Sequence, residues 1–214
     1  MKKLKTLNLL PILYAAYASS LLAMNLLATK QFDLWHFTVT TGILVSPIAF
    51  IIQDVTTELF GYQQSKRMIY TGFTILAVAT MIYQLAMMIT PSTFWPHQEA
   101  FVTILKTTFR ITAASLLAYL IGSLVNAKVM AQLKTKYPDT LFFRAITSTI
   151  FGQLLDNLVF AALAFWGVLP NNALLSMIIG GTLFETCYEI ILYPLTRFLI
   201  HTGQNYLGDE LYDF

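Results

Sequence analysis

Apolar positions along the chain gather into six long runs, at residues 7–29, 38–60, 67–90, 103–129, 142–168 and 173–200. Each holds about 20 or more residues, enough as an α-helix to cross about 30 Å of hydrocarbon. Polar or proline-bearing breaks separate them: Gln31-Phe32-Asp33, Gly61-Tyr62-Gln63-Gln64, Pro91 to Pro96, Lys134 to Asp139, and Pro170-Asn171-Asn172. No low-complexity linker divides the chain. The pattern predicts an all-α integral membrane bundle of six transmembrane helices, forming one domain over residues 1–214. The first run, with Lys2, Lys3 and Lys5 before it, has the layout of a signal peptide. It is read instead as a retained first helix, because the rest of the chain is equally apolar and no convincing cleavage site precedes Lys30.

Composition agrees with this class. Of 214 residues, 57% are hydrophobic and 11% charged, against about 25% charged in a soluble domain. A net charge of +2 gives no reason to expect a nucleic-acid partner. The single cysteine, Cys187, has no partner for an internal disulfide and is expected to pack as a small hydrophobe.

Basic residues set the orientation. With the N-terminus inside, Lys2, Lys3, Lys5, Lys66, Arg67, Lys128, Lys134, Lys136, Arg144 and Arg197 fall on the cytoplasmic side. Only Lys30 and Lys106 fall outside, and Arg110 lies within helix 4. This bias predicts that both termini are cytoplasmic. Trp35, Trp95 and Trp166 then lie near the outer ends, where aromatic rings prefer to sit.

Five carboxylates interrupt the apolar runs. A charge at the bilayer centre costs about 2.5–3.5 kcal/mol on insertion scales, so such residues usually have a task inside the protein. Asp54 and Glu58 are four apart and share a helical face. They either line a cavity or serve locally, with Glu58 near the headgroups and Asp54 paired to a base such as Arg67. Gln153, Asp156 and Asn157 share a face of helix 5 with Asp156 near mid-membrane, which suits a cavity or interhelical hydrogen bonds. Glu185 lies near the middle of helix 6. Glu189 lies one turn nearer the cytoplasm, before Pro194, which can bend the helix.

Arg110 is the one cation read as clearly intramembrane, unless it snorkels to the outer surface. The stripe of Ser115, Tyr119, Gly122 and Asn126 faces either another helix or the cavity. Ala15, Ala18, Ser19 and Ala23 give helix 1 a close-packing face. Asn25, near its outer end, stays open between packing and ligand contact. The candidate substrate-binding set is therefore Asn25, Asp54, Glu58, Arg110, Gln153, Asp156, Asn157, Glu185 and Glu189.

Five acids against one arginine cannot all be ionised in a low-dielectric bundle. Protonation, a bound cation or a hydrogen-bonding ligand must answer some of them, which points to transport. A carboxylate also accepts the paired N–H groups of a guanine-type edge. Phe50, Tyr119, Phe151, Phe160 and Tyr188 are available to stack on a planar ring, or simply to pack. Catalysis finds no support: HExxH, CxxC, P-loop and GxSxG motifs are all absent. No cofactor or metal is expected, since His36, His97 and His201 are scattered.

The stretches Asn25 to Lys30, Gly42 to Pro47, Asp54-Val55-Thr56-Thr57-Glu58-Leu59-Phe60-Gly61-Tyr62 and Arg67 resemble the signature of queuosine precursor transporters, earlier grouped as vitamin uptake transporters. The likeness continues through Arg110 to Ser115 with Tyr119 and Gly122. It resumes at Ser148 to Asn157, with Phe160, Ala164, Phe165 and Gly167, and closes at Tyr188-Glu189 and Pro194-Leu195-Thr196. It spans nearly the whole chain.

The resemblance implies a six-helix, multi-pass inner-membrane protein that imports 7-cyano-7-deazaguanine or 7-aminomethyl-7-deazaguanine for queuosine in tRNA. Uptake would be ion-coupled, proton-coupled or facilitated. Its expected partners are a small deazapurine and the lipid bilayer; homo-oligomerisation stays open. One position departs from the family pattern, which carries a lysine where this chain has Glu185. A more negative cavity, preferring the cationic aminomethyl compound, or an altered proton coupling would follow. A substrate-binding membrane subunit of an ATP-driven importer is the main alternative. An intramembrane enzyme and a structural scaffold are more distant ones.

Overall fold

The computed structural model describes residues 4–34, 37–105 and 109–208. Expectations placed on Lys2, Lys3, Trp35, His36 and Lys106 lie outside them. The order is α1 (Leu4–Leu27), a small antiparallel hairpin of β1 (Gln31–Leu34) and β2 (Phe37–Thr40), and a 3₁₀ turn over Thr41–Leu44. Then follow α2 (Ser46–Met88), α3 (Gln98–Leu105), α4 (Phe109–Lys136), α5 (Leu141–Phe165) and α6 (Asn171–Leu207). Apart from the hairpin the architecture is helical. Among the described residues, five helical stretches are long and apolar enough to cross a membrane: α1, α2, the stretch ending in α4, α5 and α6.

Two predicted boundaries move. The second apolar run begins in β2, where β-branched Thr38, Val39 and Thr40 favour extended backbone, and the helix starts only at Ser46. Pro47 sits at the first helical turn, where its missing N–H has no partner to lose. The fourth helix runs over Phe109–Lys136 rather than 103–129, with α3 a separate short element.

The second and third predicted helices are continuous in α2, but Gly61 breaks it. Its φ of 77° and ψ of 172° lie outside helical space. The arms 46–60 and 62–88 double back on each other there. Thr57 Oγ1 lies 2.9 Å from Ser65 Oγ, within hydrogen-bond reach, and Thr56 Oγ1 lies 3.5 Å from Met68 Sδ. In a straight helix those pairs would stand about 12 and 18 Å apart. Ala49 likewise clusters with Met68 and Ile69. Six helical limbs result from five long stretches.

The 46–60 arm is the hub of the bundle. Its residues Ile51, Val55 and Leu59, spaced by four, pack with Phe60, Ile200 and Leu207. Ala49 joins the other core, with Tyr17, Leu21, Met68, Ile69, Tyr119 and Ala127. Polarity is inverted relative to a soluble protein. Gln53, Asp54, Thr57, Ser65, Asn126, Ser148 and Gln153 are buried, whereas Leu7, Ile12, Met81, Leu85, Met88, Ile191 and Phe198 are exposed. Apolar outward faces suit lipid as the surrounding medium. Several hydroxyls on the helices bond locally to the backbone, as where Thr57 donates to Gln53 O and Thr182 to Ile178 O, both at 2.8 Å.

Candidate functional site

Helices α4 and α5 cross in close contact. A Cβ on Gly122 would lie 2.7 Å from Asp156 Cβ, and one on Gly152 would lie 2.7 Å from Asn126 Cβ. The contact is reciprocal: each glycine receives the polar residue one turn along its partner helix. Hydrogen in place of a side chain thus brings Asp156 and Asn126 deep between two backbones.

Beside this crossing lies a cavity of about 890 Å³, bordered by α1, the start of α2, α4, α5 and α6. It reaches from the end of the bundle marked by Ala28 and Gly42 to the level of Asn126 and Glu189. Gln153, Asp156, Asn157, Glu185 and Glu189 line it, with Phe50, Tyr119, Phe160, Phe184 and Tyr188 as its rings. Among the described residues, no lysine, arginine or histidine stands in this wall. Asn157 ties α5 to α6: its Nδ2 donates to Gln153 O at 2.9 Å and to Glu185 Oε2 at 3.1 Å. Glu185 and Asp156 lie near enough to repel each other.

Four residues of the predicted set stand outside the wall. Asn25 is half-buried beside Met24, which does line the cavity. Asp54 is fully buried, has Asn126 as a polar neighbour and, among the described residues, joins no salt bridge. Glu58 is held by Arg144, whose Nη1 reaches Oε2 at 2.5 Å and whose Nη2 reaches Oε1 at 3.1 Å. Lys134 Nζ adds a contact to Oε1 at 3.4 Å and donates to Glu58 O. Arg110 is exposed and donates from Nε to Leu163 O and from Nη2 to Trp166 O, both at 2.8 Å. It caps the carbonyl end of α5, where a positive charge is favoured.

These placements correct the charge account. Arg144, counted among the basic residues of the cytoplasmic side, is 1% exposed. It is a buried cation, and Arg110 is not the one clear case. Asp54 does not pair with Arg67; among the described residues both salt bridges belong to Glu58. Cys187, expected to pack, is exposed and borders the cavity.

Sequence reading missed a polar floor to the cavity. Tyr17 and Tyr119 join through their hydroxyls, Tyr17 Oη also reaches Gln53 Oε1 at 3.3 Å, and Gln53 Nε2 donates to Ser123 O at 3.2 Å. Gln53 beside Asp54 in an apolar run was the available signal. Tyr17 gave none, because tyrosine is common in this chain.

A family model described as "Putative vitamin uptake transporter" matches residues 40–199. A "Probable queuosine precursor transporter" of Bacillus subtilis (strain 168) is 27% identical over 172 residues, covering 79% of this chain and 75% of that protein. One of the same description from Haemophilus influenzae (strain ATCC 51907 / DSM 11121 / KW20 / Rd) is 26% identical over 194 residues, covering 82% and 78%. A "Queuosine precursor transporter" of Escherichia coli (strain K12) is 24% identical over 168 residues, covering 78% and 73%. No solved structure matches the chain significantly.

Proposed function

Because the chain belongs to the vitamin uptake transporter family, a family of transporters rather than enzymes, we propose that it is a multi-pass carrier importing a queuosine precursor. Relatives named for that substrate supply the class. The observation that carries the reading is the cavity: three carboxylates, three side-chain amides and five aromatic rings, with no basic group among the described residues of its wall. Its volume falls within the range of about 300–1,000 Å³ typical of small-molecule sites. A 7-deazaguanine offers N–H donors along one edge and a flat ring, so carboxylates and rings answer both features. The acidic wall favours the cationic 7-aminomethyl-7-deazaguanine over the neutral cyano compound. Asp156, Asn157, Gln153, Glu185 and Glu189 are the proposed contacts.

We further propose six crossings with both termini cytoplasmic. The two arms of α2 supply the extra crossing, and the bias of basic residues supports the orientation. Uptake driven by an ion or proton gradient would use acids that remain outside salt bridges.

The test is uptake of labelled precursor by cells unable to make it, scored by queuosine in their tRNA. Expression of the membrane-localised protein should restore the modified nucleoside. Absence of rescue would sink the substrate assignment.

A further inference from the structure

A buried polar chain stands behind the cavity and joins its wall at Tyr119 and Ser123. Gln53 Nε2 faces Ser123 O at 3.2 Å. A carbonyl only accepts, so this contact fixes the amide and turns Gln53 Oε1 toward Tyr17 Oη, 3.3 Å away. An amide oxygen also only accepts, so the Tyr17 hydroxyl donates to it. That spends the single proton of Tyr17, and the contact between the two phenols is donated by Tyr119. The chain therefore has one direction, from Tyr119 to Tyr17 to Gln53 to the Ser123 carbonyl. The Ser123 hydroxyl stands beside both phenols and can donate to either oxygen without changing that order.

Tyr17 on α1 and Gln53 on the 46–60 arm are each 0% exposed, and neither borders the cavity. Tyr119 on α4 is buried too, but its side chain forms part of the wall. The Tyr17 ring is seated as closely as its hydroxyl. A Cβ on Gly72, in the 62–88 arm, would stand 2.8 Å from Tyr17 Cε1 and 3.0 Å from its Cδ1, so the ring lies against the backbone of that arm. The two tyrosine rings have centroids 6.5 Å apart and are tilted by 39°. Among the described residues, none of the other rings of the wall is tied by a side-chain hydrogen bond: Phe50, Phe160 and Phe184 have no polar atom, and Tyr188 Oη makes none. Buried polar groups cost free energy unless paired, and apolar side chains of like shape would join these helices as well. What the hydrogen bonds add is a fixed place and tilt for the Tyr119 ring.

We propose that Tyr119 is the surface on which the ligand's flat ring stacks, and that Tyr17 and Gln53 are positioning residues that act through it. The ligand then meets a ring held at its tip by groups it never touches. The identity of the ligand rests on the transport reading above; the fixed ring does not.

Cys187 supplies a reporter. It is the single cysteine, is exposed, and borders the same cavity, so a bound ligand should slow its alkylation by N-ethylmaleimide. With the full chain purified in detergent, protection by 7-aminomethyl-7-deazaguanine gives one apparent Kd. Protection by adenine, a flat ring without the guanine edge, gives a second. Tyr119→Leu should weaken both by about 5- to 150-fold, the range for stacking on one aromatic side chain. Tyr119→Phe, Tyr17→Phe and Gln53→Met should each weaken them by about three- to tenfold, the range for one hydrogen bond.

The variant carrying both Tyr17→Phe and Tyr119→Phe should lose no more than either change alone, because each breaks the same contact. Gly72→Ala removes no polar group and lies outside the wall, yet should reproduce the loss by displacing the Tyr17 ring. An unliganded alkylation rate equal to wild type shows that the cavity still forms. Should Tyr119→Leu fail to fold, the two phenylalanine variants and their combination decide. Undiminished protection in Tyr119→Leu or in Tyr17→Phe, or additive losses in the double variant, overturns the proposal. Tyr119-dependent protection by adenine with none by the precursor supports the fixed ring and counts against the precursor reading alone. Protection by neither ligand counts against both.

Discussion

Arg144 looks in sequence like one more inner-surface charge, yet it is among the most buried large side chains of the protein. It is retained there by a two-pronged pairing with Glu58. Removing one partner of such a pair strands the other, at about 3–5 kcal/mol, whereas replacing both with apolar groups is often neutral. Glu58→Leu should therefore lower the thermal unfolding midpoint sharply in detergent. Adding Arg144→Met should recover most of the loss, and no recovery would mean that the pair is not the reason. Glu185 makes a different argument. It shares Asn157 with the cavity wall and faces a substrate proposed to carry an ammonium group. A hydrogen bond to a charged group contributes about 1.5–3 kcal/mol. Glu185→Lys should thus weaken uptake of the aminomethyl compound by about 10- to 100-fold and spare the cyano compound. Competition uptake assays measure this, and unchanged preference would remove Glu185 from specificity. The intramembrane acids themselves were legible because charge in an apolar run is rare. Their partners were not, since α2, α4 and α5 supply them from positions up to 86 residues apart.

At the scale of elements, two glycine positions act for separate reasons. Among the described residues nothing lies within 4 Å of where a Cβ on Gly61 would stand, so its requirement is backbone geometry alone. A φ of 77° with ψ of 172° is a region that other residues enter only at about 1–3 kcal/mol. Gly61→Ala should cost stability in that range, measured by thermal unfolding, and a neutral result would show that the break does not depend on glycine. Gly152 has ordinary helical geometry but no room. A Cβ there would meet Asn126 and lie 3.0 Å from Gly122 O, which is backbone and cannot swing away. Gly152→Val should push α4 from α5 and displace Asp156 and Asn126 together. Loss of precursor binding in a protein that still inserts and resists proteolysis is the expected sign. The helices themselves were readable from the apolar runs. The late start of the second helix was not, because Phe37 to Gly42 carries no charge or proline to mark a boundary while its β-branched residues favour a strand.

For the whole molecule, the arrangement amounts to a polar interior wrapped in apolar side chains, with the cavity toward one end and the Glu58 ion cluster toward the other. The six proposed crossings put the Gly61 turn and the 89–97 loop on opposite faces of the membrane. In a Cys187→Ser background, Gln63→Cys should react with an impermeant thiol reagent only from inside and Ser92→Cys only from outside. Labelling of both from the same face would exclude the proposed topology. The amino-acid order alone was enough to establish a multi-pass helical membrane protein, the position of its helices to within several residues, and the family it joins. Those properties reside in local composition, run length and short motifs, and lipid leaves few other ways to satisfy a backbone. Which acids share the cavity, which one is locked to Arg144, and which one is buried apart from both emerged only from the packed helices. Five similar carboxylates in five similar apolar settings differ through the side chains that other helices bring to them, and that depends on the turn at Gly61 and on the close contact at Gly122 and Gly152.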